Sequence, residues 1–339
     1  WRCVGADRAD GVTSLTLSMR TRVLPGKVTK GLYLVDGHNV VYVQHLLAGF
    51  SGRTTLGHHA TLAVPDEPGG VLVAHSPARF GLTCPTENER PDAGSYASVQ
   101  LAKRFRDISD VPLRWKDPPR GDFSRLPARE GFTDLLAVFA KDAPVAWAAA
   151  TFARERWLWY SLKDPALLPT LLLWVSNKGR HGPPWNGRNR CLGMEDVCGF
   201  LAEGRAASLR ANVLSRAGVP TWRRLSPKTP TVVNYIEGVT RVPAGFGRVA
   251  EVALGDGEVT FHSEEGKRAR AAVCHDFGAP LEIEEVRLAA PGAGEVEVTL
   301  EAVAVCHSDI SYADGAWGGV LPAVYGHEAA GRITALGPE

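Results

Sequence analysis

The chain has 339 residues, 45% of them hydrophobic and 22% charged, with a formal net charge of +1. That balance excludes a disordered chain, a collagen-like repeat and a surface dominated by nucleic-acid binding, and the length allows two domains, each with a core. Six cysteines at irregular spacing and no Asn-x-Ser/Thr sequon argue against a disulfide scaffold and point to a reducing compartment, the cytoplasm.

In chain order, short alternating segments separated by Gly, Pro, Asn and Asp predict antiparallel strands. Segments 32–35 and 40–47 flank the turn Asp36-Gly37. Further strands are expected at 59–64, 70–74, 157–162, 171–175, 231–235 and 259–262, the last after the turn Gly255-Asp256-Gly257. Segment 132–139 fits either a strand or a helix, and 202–214 reads as one turn-rich helix. Trp157, Trp159 and the run 171–174 read as sandwich core. No apolar run approaches the roughly 20 residues that span a bilayer, so no membrane contact is expected. Gly245-Phe246-Gly247-Arg248-Val249-Ala250 fits a phosphate-loop spacing, but strand-like residues follow it, so it is read as a turn.

The charged run 263–270 breaks the pattern and is taken as a domain junction open to proteases, giving expected domains 1–265 and 266–339. Beyond it, 271–273, 281–288 and 295–305 look like strands, and Val296, Val298 and Leu300 alternate with polar neighbours.

Two constellations carry chemistry. In the first, adjacent His58 and His59 enter a strand, where alternation sends one ring to each face. Downstream lie Trp185-Asn186-Gly187-Arg188 and Glu195-Asp196. Indole beside Arg, Asn and carboxylates lines sugar clefts, and the same residues also suit a solvated turn. In the second, Cys306-His307-Ser308-Asp309 and Gly326-His327-Glu328 bring thiolate, imidazole and carboxylate into a short span, the donor types zinc prefers.

The second constellation resembles the start of the catalytic, GroES-like domain of zinc-dependent alcohol dehydrogenases. The likeness rests on Ala271-Ala272-Val273, Pro291-Gly292, Val305-Cys306-His307-Ser308-Asp309 and Gly326-His327-Glu328-Ala329-Ala330-Gly331. It implies Cys306 and His327 as ligands of a catalytic Zn2+, with Glu328 able to exchange onto the metal. Ser308 would relay the alcohol proton, Asp309 would orient His327, and His307 would lie near the cofactor phosphates. The third zinc ligand, the four-Cys structural zinc lobe and the nucleotide-binding domain would follow Glu339, so NAD(P) is implied only if a Rossmann domain lies beyond it. The chain starts at Trp1 and ends just before the signature's final Val, so more sequence is expected at both ends.

Residues from about 20 to 262 resemble galactose-mutarotase-like proteins, relatives of aldose 1-epimerases. The phrases are 56–62, 174–180, 184–188, 192–198 and 234–239. The likeness implies ring opening by acid and base, with His58 or His59 as acid, Glu195 as base, Arg188 and Trp185 on the substrate, and His181 or His45 as a second imidazole. His38, His75, His262 and His275 are assigned no chemistry. The expected fold is mainly β: a large antiparallel β-sandwich followed by a partial GroES-like β-barrel domain. The expected ligands are a small alcohol or aldehyde, or a carbohydrate, without nucleic acid. Epimerase activity and carbohydrate binding without turnover both stay open for the sandwich.

Overall fold

A computed structural model describes residues 1–255, 258–271, 291–293, 296–304 and 328–337. The chain starts as a meander, β1 (Arg2–Ala9), β2 (Val12–Thr21), β3 (Gly26–Val35) and β4 (Val40–Ala48). Asp10 and Gly11, with φ of 51° and 72°, make the two-residue turn between β1 and β2. That Asp-Gly signal lies ahead of the first strand expected from the sequence.

Short strands β5 (Gly52–Thr54), β6 (Leu56–Gly57) and β7 (Ala60–Ala63) precede β8 (Val71–His75) and β9 (Ala78–Thr83). Next come β10 (Arg104–Phe105), β11 (Val111–Pro112), β12 (Arg120–Gly121) and β13 (Arg125–Leu126). The long central strands are β14 (Phe132–Ala140), β15 (Ala146–Phe152), β16 (Trp157–Lys163), β17 (Thr170–Asn177) and β18 (Arg190–Cys198). Segment 132–139, ambiguous by pattern, is therefore a strand, because both of its faces are covered. The expected helix at 202–214 is two short ones, α1 (Gly204–Ser208) and α2 (Val213–Arg216), the second started by an Asn212–Ser215 capping box. The chain continues through β19 (Arg223–Leu225), β20 (Thr231–Arg241), β21 (Val249–Gly255), β22 (Glu258–Ser263) and β23 (Arg268–Ala271).

Two antiparallel sheets face each other. One has nine strands in the order β1-β2-β3-β4-β20-β16-β15-β8-β13, and the other runs β10-β9-β14-β17-β18-β6 with β7 also on β18. Alternation sorts the side chains of each strand. From β17, Leu171 and Leu173 join Leu192 and Met194 of β18, Val138 of β14 and Trp159 of β16 in the core between the sheets. Leu158, Tyr160 and Leu162 point out of the nine-stranded sheet and pack against Phe246, Val249, Val259 and Phe261. Leu172 and Phe139 point out of the other sheet toward Phe200, Leu214 and Val219 around the two helices.

The charged run 263–270 is not an open linker. Its end forms β23, paired antiparallel to β22 in the three-stranded sheet β21-β22-β23. Glu265 accepts from the Gly247 N–H at 3.0 Å, and Arg248 donates to Glu264 at 2.5 Å. Charge on this hairpin reflects a wet surface rather than a missing fold. The 245–250 segment is a turn leading into β21, as read. Farther on, β24 (Val296–Ala304) and β25 (Glu328–Leu336) pair antiparallel, with Ala304 opposite Glu328. The turn residues Asp256 and Gly257 and the segment 281–288 lie outside the described residues. Among the described residues no helix is long and apolar enough to cross a membrane.

Candidate functional site

The site begins with two neighbours on β18. Successive strand residues face opposite ways, so Glu195 looks out of the sandwich while Asp196 looks in. Glu195 lies opposite Leu172 of β17, and Gly193 lies opposite Trp174. A Cβ at Gly193 would stand 3.0 Å from Trp174 Cβ and 3.1 Å from Glu195 Oε1, so the missing side chain makes room for both groups.

On the outer face, His59 Nε2 sits 3.2 Å from Glu195 Oε1 and its Nδ1 3.2 Å from Thr61 Oγ1. The imidazole meets the Trp174 ring edge-on at 6.1 Å. Burial raises the Glu195 carboxyl above its ordinary range, and His59 partly offsets this. Beside the pair opens a cavity of about 290 Å³ whose lining includes Gly57, His58, Leu172, Cys198, Arg205 and Ser208.

An aromatic platform extends from it. Trp185 packs edge-on against Trp174 at 5.7 Å, and the Arg180 guanidinium lies 5.4 and 5.5 Å from the two rings. Glu89 holds Arg180 bidentately, accepting Nε at 2.9 Å and Nη2 at 2.5 Å. Trp174 Nε1 is buried with no hydrogen-bond acceptor among the described residues.

Inside the sandwich the chemistry differs. The His58 ring stacks on Tyr235 at 3.8 Å and meets His45 edge-on at 5.0 Å, while the His58 backbone N–H donates to the Asp196 backbone carbonyl at 2.9 Å. Burial pushes the His58 imidazole down to about 4, assisted by His45 and Lys30 and opposed by Asp196. The Asp196 carboxylate, fully buried, accepts from the Tyr235 and Ser161 hydroxyls at 2.8 Å each and is in ionic contact with Lys163. Lys163 also donates to the Thr170 carbonyl at 2.9 Å. Burial lowers the Lys163 ammonium even beside its carboxylate. This network ties β16, β17, β18 and β20 together and fixes the register that presents Glu195 outward.

The structure thus pairs Glu195 with His59 and turns the His58 ring to Tyr235 and His45. Trp185 reaches the site through Trp174. Arg188 is exposed in the 182–188 turn, where its N–H donates to the Trp185 carbonyl at 3.1 Å. His181 packs near Tyr96, with ring centroids 6.5 Å apart. His75 is half-buried at the end of β8, His262 lies on β22, and His38 bonds Tyr42 at 2.5 Å; His275 lies outside the described residues. One reading is corrected: Trp174, grouped with the core, faces outward beside His59, because its core-bound neighbours Leu171 and Leu173 are an odd number of residues away. Sequence reasoning also missed Arg180, Thr61 and Glu89. Glu89 bore no signal, since it meets Arg180 only through the tertiary fold.

Of the residues named for zinc chemistry, Cys306, His307, Ser308, Asp309 and His327 lie outside the described residues. Glu328 starts β25. Thiolate, imidazole and carboxylate form a donor set that suits zinc. Among the described residues no group of three His, Cys, Asp or Glu side chains could hold a metal.

Fold and cleft define a mainly-β protein with a His59–Glu195 contact on the outer face of a sandwich sheet. Comparison places its C-terminal part: residues 292–339 match the alcohol dehydrogenase GroES-like domain. The chain is 48% identical over 71 residues to an alcohol dehydrogenase of Moraxella sp. (strain TAE123), covering 20% of this chain and 21% of that one. It is 49% identical over 74 residues to the class-3 alcohol dehydrogenase of Cereibacter sphaeroides, with 21% and 19% covered. It is 46% identical over 74 residues to the S-(hydroxymethyl)glutathione dehydrogenase of Paracoccus denitrificans, again with 21% and 19% covered. The chain spans about a fifth of the length of these relatives. Among solved structures it is similar to an aldose 1-epimerase-type protein of Escherichia coli K12, at 13% identity and a TM-score of 0.45 over 71% of this chain and 69% of that one. A second, from Klebsiella pneumoniae, is 12% identical with a TM-score of 0.41 over 69% and 52%.

Proposed function

We propose that the sandwich is a carbohydrate module that opens and closes an aldose ring, and the observation that carries this is the 3.2 Å contact between His59 and Glu195 beside a cavity. The two groups suit two oxygens on one carbon. Glu195 takes the proton of the anomeric hydroxyl, and the imidazolium of His59 gives its Nε2 proton to the ring oxygen as the bond from that oxygen to the anomeric carbon breaks. The product is the open-chain aldehyde. The Glu195 proton then returns to Nε2 across the same contact, which resets the pair without an outside donor. Thr61 keeps the Nδ1 side of the ring oriented. Trp174 and Trp185 offer apolar faces to the sugar.

Anomer exchange of D-glucose followed by NMR tests this. Wild type accelerates exchange and Glu195→Gln lowers the accelerated rate by about 100-fold or more. Because burial raises Glu195, the rate falls on the acid side at a pH above the usual carboxylate range. Equal exchange with and without protein removes the reading, and sugar binding without exchange leaves a carbohydrate-binding module.

A second reading is favoured by the match of residues 292–339. On this reading Cys306, His327 and Glu328 would hold Zn2+, and Asp309 would orient His327. Ala304 and Glu328 are opposite one another, so the ligand-bearing segments leave β24 and β25 from the same end of the pair. Zinc, when bound, supplies Lewis acidity to an alcohol oxygen. Ser308 would carry the alcohol proton away, and His307 would face the phosphates of NAD(P), whose binding would call for a nucleotide-binding domain. In the complete protein, dialysed wild type retains zinc and Cys306→Ser loses it; unchanged metal content removes this reading.

A further inference from the structure

The cavity beside Glu195 is unbalanced in charge. Its one carboxylate, Glu195, is engaged by His59, while α1 brings Arg205 to the lining. Arg205 donates Nη2–H to the Arg53 carbonyl at 2.8 Å, which fixes the guanidinium against β5 and leaves its other N–H groups for a ligand. Two further arginines are anchored the same way on the strand pair β5 and β19, outside the cavity lining. Arg53 lies 5.0 Å over the Trp222 ring and donates to the Leu209 carbonyl at 3.3 Å. Arg223 donates to the Leu167 carbonyl at 3.2 Å. None of the three forms an ion pair with a carboxylate of the described residues. The turn that carries Arg205 is specially shaped: Leu201, on the cavity rim, holds φ at 42°, a left-handed conformation that costs a bulky residue energy and persists only where packing enforces it.

Guanidinium groups held in place on carbonyls, with no carboxylate to neutralise them, are arranged for a planar or tetrahedral anion. The volume of about 290 Å³ suits a single sugar unit. We propose that the ligand of this cleft is an acidic aldose, a monosaccharide bearing a carboxylate or a phosphate, with its acidic group on Arg205 and its anomeric carbon at His59 and Glu195. This rests on the acid–base reading above and names its substrate class.

Calorimetric titration of D-glucose, D-glucuronate and D-glucose 6-phosphate into wild type, Arg205→Gln, Arg205→Lys and Glu195→Gln tests the assignment, with anomer exchange measured on the same samples. In wild type one acidic aldose binds about tenfold or more tightly than glucose, by a margin that shrinks with added salt, and the preferred one tells carboxylate from phosphate. Arg205→Gln abolishes the margin and Arg205→Lys keeps part of it, whereas Glu195→Gln keeps the margin and loses exchange. Arg205 is exposed, so circular dichroism of its variants should match wild type. Equal affinities for neutral and acidic aldoses, or a margin that survives Arg205→Gln, overturn the proposal. If glucose is exchanged under those conditions, the acid–base reading stands without it. An Arg205-dependent margin with no exchange of any aldose removes the acid–base reading and keeps the anion subsite, and absence of both removes both.

Discussion

Glu195 and Asp196 show how one peptide bond separates two chemistries. Asp196 is fully enclosed and satisfied by Tyr235, Ser161 and Lys163, an arrangement that holds strands in place because an unpaired buried charge is so costly. Glu195 is left with one imidazole and a cavity, which is the setting the proposed base requires. The same alternation separates the histidines, and His58 makes the stability of the fold depend on pH. Its imidazole titrates near 6.5 when unfolded and at about 4 when folded, so between these values the unfolded chain binds more protons and stability falls with falling pH. The contribution is complete above pH 6.5, and about 3 kcal/mol is lost by pH 4. Urea unfolding of wild type and His58→Phe at pH 7 and pH 4.5 should show a smaller acid loss in the variant. Parallel losses would mean that His58 does not carry this dependence.

At the scale of elements, the hairpin of β22 and β23 replaces the linker that its charge suggested. Lys267, Arg268 and Arg270 are potential trypsin sites, yet β23 is hydrogen-bonded to β22 and Glu265 and Glu264 tie its turn to Gly247 and Arg248. Limited trypsin digestion read by mass spectrometry should therefore spare 263–270 while native spectra persist; early cleavage there would show that the hairpin opens locally. Hydrophobic pattern read this segment poorly because its turn, residues 264–267, is exposed and needs no apolar side chain. It read β16 and β17 well, since strands buried on both sides are nearly continuous in apolar residues.

At the scale of the molecule, the sandwich is layered. The three-stranded sheet covers the outside of the nine-stranded one through Phe246, Val249, Val259 and Phe261 against Leu158 and Tyr160, with the Phe261 and Tyr160 rings 4.7 Å apart. Phe261→Ala empties a fully buried position and should cost about 3–5 kcal/mol. The loss should appear in one unfolding transition that tryptophan fluorescence and circular dichroism both follow. A separate early transition would mean that this sheet unfolds on its own.

The sequence by itself determined the strand-rich architecture, the opposite directions of His58 and His59, the likeness of the C-terminal segment to alcohol dehydrogenases and the candidacy of Glu195. Each of these is local, resting on a period of two residues or on a contiguous motif. Only long-range packing shows that His59 is the partner of Glu195, that Trp174 faces outward rather than into the core, that Glu89 anchors Arg180, and that Arg205 reaches the cavity lining. Those contacts join residues far apart in the chain, and sheet pairing fixes them in space where no spacing along the sequence records them.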